Sequence, residues 1–133
     1  MKKLIAAFVV LSMITVLVVA CGGSGSGSSG SGSSGGGGTV HMGQTNFVQS
    51  SVTISKGSSV TLVSDDATVH IIANGSWVNG VAEPKQESGA PTVNNIQFST
   101  AGQSQDVGPF NNAGTFHLYC SVHPGMNLTV TVQ

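Results

Sequence analysis

The sequence predicts an all-β domain, a Greek-key β-sandwich of seven to eight strands. Three observations carry this expectation. Short segments alternate apolar and polar residues with period two, as strands buried on one face do. Gly, Pro, Asn and Asp recur between these segments as turn signals. No convincing helical period is present, and residues 39–133 provide about 95 residues, close to the roughly 100 of a small sandwich.

Taken in order, the chain opens on Met1-Lys-Lys and an apolar run from Leu4 to Ala20, broken only by Ser12 and Thr15. A short positive start followed by such a run is a signal-peptide pattern, so residues 1–20 are expected to be a leader. The run ends Leu17-Val-Val-Ala-Cys21-Gly-Gly. An aliphatic residue, a small residue and then Cys resembles the lipobox of bacterial lipoproteins. That resemblance implies a lipidated Cys21 at the mature N-terminus, and with it an extracytoplasmic domain anchored to the cell membrane. Residues 22–38 are only Gly and Ser. Such a segment cannot bury enough apolar area to offset its ordering entropy. As a flexible tether its root-mean-square span is about 23 Å.

The folded part is expected over 39–133. Thr39-Val-His-Met42 reads as a frayed strand start, and His41 and Met42 are donors in type only. Asn46–Ile54 reads as one or two short strands, Ser59–Ser64 as a strand and Thr68–Ala73 as another, with turns at Lys56-Gly57 and Asp65-Asp66. Asn74-Gly75 carries the tight-turn signal. From Trp77 to Val93 the period disappears, and this stretch is expected to be the longest loop, a place where function often resides. Asn95–Phe98 and Asp106–Phe110 read as strands. Thr115–Cys120 and Leu128–Val132 are the two clearest, separated by a turn at Pro124-Gly125.

Composition excludes several functions. The chain has four Lys and no Arg. Beyond the leader, Lys56 and Lys85 face Asp65, Asp66, Glu83, Glu87 and Asp106, a net charge of −3. Nucleic-acid binding needs a basic patch, and none exists. The two cysteines, Cys21 and Cys120, would suggest a disulfide in an exported protein. Each has a better use, one at the leader boundary and one in the motif that follows.

That motif is Cys120-Ser-Val-His123-Pro-Gly-Met126. Thiolate and thioether are soft donors suited to Cu(I), and imidazole suits both Cu(I) and Cu(II). One Cys, two His and a weak axial Met form a blue-copper electron-transfer site. A second imidazole is required, and His41, His70 and His117 are the candidates. Period two puts Phe116, Leu118 and Cys120 on one face of their strand and His117 and Tyr119 on the other. His117 should therefore point away from the metal.

Gly114-Thr-Phe-His-Leu-Tyr-Cys-Ser-Val-His-Pro-Gly-Met126 resembles the C-terminal ligand loop of the cupredoxins, the small type 1 blue copper proteins. The Cys-x2-His-x2-Met spacing is the short-loop version, similar to amicyanin, and the resemblance covers roughly 45–133. It implies His70 as the first imidazole, about fifty residues upstream of Cys120, so that His70, Cys120, His123 and Met126 hold one copper. Many relatives have Asn directly after this His, tying the two ligand loops together. This chain has Ile71 there, so that bond is absent.

The expected function is a membrane-anchored carrier, not an enzyme. It would shuttle single electrons between redox proteins outside the cytoplasm and act as a monomer. The resemblance implies an electron-transfer surface at His123 and Pro124, with a second exit through Tyr119, expected to point outward. The alternative is an extracytoplasmic copper chaperone or buffer, which a single Cys-containing site disfavours. Copper oxidases and nitrite reductases need a second copper centre, for which too few His remain.

Overall fold

The computed structural model describes residues 36–133. The leader, Cys21 and the Gly/Ser segment up to residue 35 lie outside the described residues. Within them the chain forms nine strands and no helix: β1 Gly38–Met42, β2 Ser51–Ile54, β3 Val60–Ser64, β4 His70–Val78, β5 Val81–Pro84, β6 Ile96–Phe98, β7 Ser104–Val107, β8 Gly114–Cys120 and β9 Asn127–Val132. One sheet has the order β1-β3-β7. The other has the order β2-β9-β8-β4-β5, with β6 also pairing β4. Two pairs are parallel, β1 with β3 and β2 with β9.

Alternation builds the core between the sheets. Val60 and Leu62 of β3, Phe116, Leu118 and Cys120 of β8, and Leu128, Val130 and Val132 of β9 all face inward and are buried. Phe98 and Phe110 are the largest fully buried side chains. Each such side chain removed from water stabilises the fold by about 1.5–3 kcal/mol, which a charge-poor surface cannot replace.

Three expectations shift. First, the 39–42 segment is no frayed end. β1 pairs with β3 along its whole length, and Val40 and Met42 are fully buried, so Met42 is a core residue. Second, the turn lies at the other Asn-Gly. β4 runs through Asn74-Gly75 to Val78, and the hairpin to β5 closes at Asn79-Gly80, both with positive φ (51° and 79°). Positive φ at two successive positions is what a two-residue hairpin needs. Asn74 is held inside instead. Its Nδ2 donates to the Pro91 carbonyl at 3.1 Å, and its Oδ1 accepts the Val93 N–H at 2.6 Å. Part of the expected 77–93 loop is therefore strand. Third, β7 comes earlier than 106–110, because Gly108 adopts φ 138° and Pro109 has no N–H to continue a ladder.

The strand directions give the domain two poles. Met42-Gly43, the end of β3, the start of β4 and the Cys120–Asn127 turn gather at one. At the other, Ser55 N–H reaches the Gly36 carbonyl and Lys56 N–H the Gln133 carbonyl.

Gly75 bends β4. Its φ is 131°, a region that side-chain-bearing residues avoid, and a Cβ there would run into the Glu83 carbonyl of β5. Gly75→Ala is expected to destabilise the fold by roughly 3 kcal/mol, read as a lowered midpoint in thermal or denaturant unfolding. Gly80→Ala, at a turn with open space around it, should cost less.

Candidate metal centre

β4 and β8 pair antiparallel with Ile72 opposite Cys120. Alternation puts His70, Ile72 and Asn74 on one buried face of β4 and Leu118 and Cys120 on the matching face of β8. His70 thereby reaches Cys120 from the neighbouring strand. The turn after β8 brings His123 back over the same place. Its shape is fixed by the Met126 N–H bonding the His123 carbonyl at 3.1 Å and the Cys120 N–H bonding the Met126 carbonyl at 3.0 Å.

The donor atoms converge. Cys120 Sγ lies 3.4 Å from His123 Nδ1 and 3.9 Å from His70 Nδ1, and the three residues offer ligand atoms all within 4.8 Å of one another. The two imidazole rings stand edge-on, 5.0 Å between centroids at 63°. His70, Cys120 and Met126 are buried, and His123 is partly exposed. Cys120 is a free thiol. Two imidazole nitrogens meeting at one sulfur, with a buried thioether next in the chain, is a donor set for copper.

Electrostatics agree with this. Burial pushes the His70 imidazole below its ordinary value, and His123 adds to the effect. Asp66 and the Gly43 backbone oppose it. Although that backbone lies close by, no hydrogen bond of ordinary geometry reaches His70 Nε2, a buried atom without a partner. A ring kept neutral retains a lone pair for a metal.

The other histidines are elsewhere. His41 Nδ1 bonds Asp65 at 2.6 Å on the surface. His117 is on the face of β8 opposite Cys120 and bonds Glu87 at 2.7 Å. Tyr119 needs correction. It is off the Cys120 face as its phase requires, yet it is only 4% exposed rather than outward-pointing. Trp77 packs edge-on against it, and Tyr119 lines a cleft together with Asn74, Lys85, Gln86 and Asn95.

Two tying contacts were not foreseen. Ile71 has no amide side chain to offer, but its carbonyl accepts the Ser121 N–H at 2.8 Å. Trp77 Nε1–H donates to the Cys120 carbonyl at 2.8 Å, and its backbone is clasped by the Asn127 side chain at 2.7 and 3.0 Å. A polar Asn directly after Met126 at the head of an alternating strand was the available hint.

Among the described residues, the fold and the donor cluster define a small β-sandwich with one Cys/His copper centre at one pole. The family described as copper binding proteins, plastocyanin/azurin family, matches residues 37–133, and the chain belongs to that family. Its cofactor is one copper, and its class is the copper-binding electron carriers rather than the enzymes. Amicyanin from Paracoccus versutus is similar in fold at TM-score 0.55 and 22% identity, over 76% of this chain and 83% of that one. A purple cupredoxin from Nitrosopumilus maritimus is similar at TM-score 0.54 and 22% identity, over 71% and 98%. The reduced Cu(I) form of a mutant amicyanin is similar at TM-score 0.54 and 19% identity, over 71% and 80%. Comparison with curated protein sequences gives no match.

The histidines separate by substitution. His70→Ala is expected to abolish or drastically alter the visible thiolate-to-copper absorption, whereas His41→Ala and His117→Ala leave it nearly unchanged. Bleaching by His117→Ala with colour retained in His70→Ala would overturn the assignment by phase.

Proposed function

We propose that this chain is a membrane-tethered one-electron carrier, with His70, Cys120, His123 and Met126 as the copper donors. The observation that carries the reading is the convergence of His70 Nδ1, His123 Nδ1 and Cys120 Sγ at the end of the buried core. Copper supplies the one-electron couple when bound. Cys120 would give the thiolate, the two imidazoles Nδ1, and Met126 a thioether. These donors come from a strand of one hairpin and the turn of another. Both elements belong to the folded sheet, which supports the position of each donor. A donor set that stays put in both oxidation states keeps reorganisation small, which suits electron transfer.

The electron leaves at His123. That ring is partly exposed, and Val122, Pro124 and Gly125 beside it are exposed and uncharged. A redox partner docking there forms few ion pairs, so binding is brief and only mildly salt-dependent. The partners are redox proteins outside the cytoplasm.

Adding Cu(II) to the protein should give an intense visible band that Cys120→Ser abolishes. Pro124→Glu should keep the band but slow electron transfer to the acceptor. A coloured Cys120→Ser protein defeats the site, and ready loss of copper to a mild chelator points to a chaperone instead.

The anchor is Cys21, with the Gly/Ser segment as tether. Two acyl chains give stable attachment where one is marginal. Cys21→Ser is expected to move the protein from the membrane to the soluble fraction, or to leave the leader uncleaved. Unchanged fractionation and unchanged mass would remove the lipoprotein reading.

A further inference from the structure

The chain has one tryptophan, and it lies across the neck of the turn that carries Cys120, His123 and Met126. Three hydrogen bonds hold it there. The indole N–H donates to the Cys120 carbonyl at 2.8 Å. The Trp77 backbone N–H donates to Asn127 Oδ1 at 2.7 Å, and its carbonyl accepts from Asn127 Nδ2 at 3.0 Å. One residue thus grips both ends of the loop, at its first donor and at the residue after its last. The indole is also packed edge-on against Tyr119, 6.2 Å between centroids at 79°.

A regular ladder would not put it there. β4 pairs with β8 only at Ile72, Ala73 and Asn74, opposite Cys120, Tyr119 and Leu118. Continued in that register, Trp77 would stand opposite Thr115, five residues away from Cys120. The positive φ of Gly75 takes β4 out of that path and over the loop neck, and β5 pairs with the diverted part from Gly75 to Val78. The diverted part of β4, paired with β5, carries Trp77 to the loop neck.

We propose that Trp77 is a positioning residue for the copper donors, clamping the neck of the ligand loop at Cys120 and Asn127. The proposal rests on the donor assignment made above. Cys120 Sγ hangs from the backbone whose carbonyl the indole holds. Met126 is adjacent to the residue whose side chain Trp77 clasps. Holding the Cys120 carbonyl and the Asn127 side chain from one residue limits the separation from which thiolate and thioether reach inward. Ile71 contributes only a backbone carbonyl to the loop, through Ser121 N–H, so the side-chain tie comes from Trp77.

The test uses the full chain with Trp77→Phe, which keeps an aromatic ring and removes the N–H donor. In the metal-free protein the amide protons of Cys120 and Met126 should exchange about five- to tenfold faster, the expected effect of one lost hydrogen bond, while that of Leu62 in the other sheet is unchanged. In the copper-loaded protein the visible band should shift, and copper should pass to a chelator faster by a similar factor. A lowered melting temperature with unaltered loop exchange and an unaltered band would show a merely structural tryptophan and overturn the proposal. If the Phe variant does not fold, Asn127→Ala releases the other side of the clamp with the indole retained, and unchanged exchange at Cys120 and Met126 there is equally decisive against it. An unmodified protein that gives no visible copper band sinks the donor assignment separately, and the metal-free exchange comparison still decides whether Trp77 holds the neck.

Discussion

The register between β4 and β8 is the constraint on which the metal end depends. Setting Ile72 opposite Cys120 puts a histidine and a cysteine, fifty residues apart in sequence, on one buried face. A slip by one residue would turn every β4 side chain over, and His70 would leave the pole. The register is secured by burial rather than by charge. Ile72, Leu118 and Leu128 are all fully buried, and exposing them costs far more than the sparse surface ion pairs return. The apolar core and the metal centre are therefore one object, with the donors as the last layer of the sandwich.

Much of this was legible in the sequence because period two decides facing without any tertiary knowledge. The alternation in Thr115–Cys120 and Leu128–Val132 assigned Cys120 to the inside and His117 to the outside, and both stand so. Where the reading failed, two local signals were equal and the fold chose between them. Asn74-Gly75 and Asn79-Gly80 are the same dipeptide. The first is drawn inside because Asn74 satisfies the backbone of Pro91 and Val93, and only the second is free to turn. That the strand start at 39–42 is fully paired and buried, not frayed, was hidden by the Gly/Ser stretch in front of it, since its partner β3 runs parallel and no local turn announces the pairing. Tyr119 shows a different limit. Phase says which face of the sheet a residue takes, but not whether another segment covers that face.

The segment after β5 lies beside Tyr119 in its cleft. Four side-chain contacts hold it: Asn74 and Asn112 reach the Pro91 and Gly89 carbonyls from outside, and the segment's own Gln86 and Glu87 reach Ala90 and His117. An irregular stretch held in this way extends the wall of the metal-bearing sheet. The tip around Val122 and Pro124 is exposed and uncharged.

The two poles have a mechanical consequence. Gly36 is bonded to the residue after β2, and β1 runs roughly 17 Å at strand rise toward Gly43 and the metal pole. Any pull transmitted through the upstream segment acts on the pole farthest from His70. It loads β1 along its ladder with β3, in shear against five residue pairs, and leaves the β4–β8 contact unstrained. A domain attached by that end stands with its donor pole facing away from the point of attachment. In the anchored arrangement proposed above, the site would reach beyond the attachment by the length of the sandwich, and docking of a partner would not load β1.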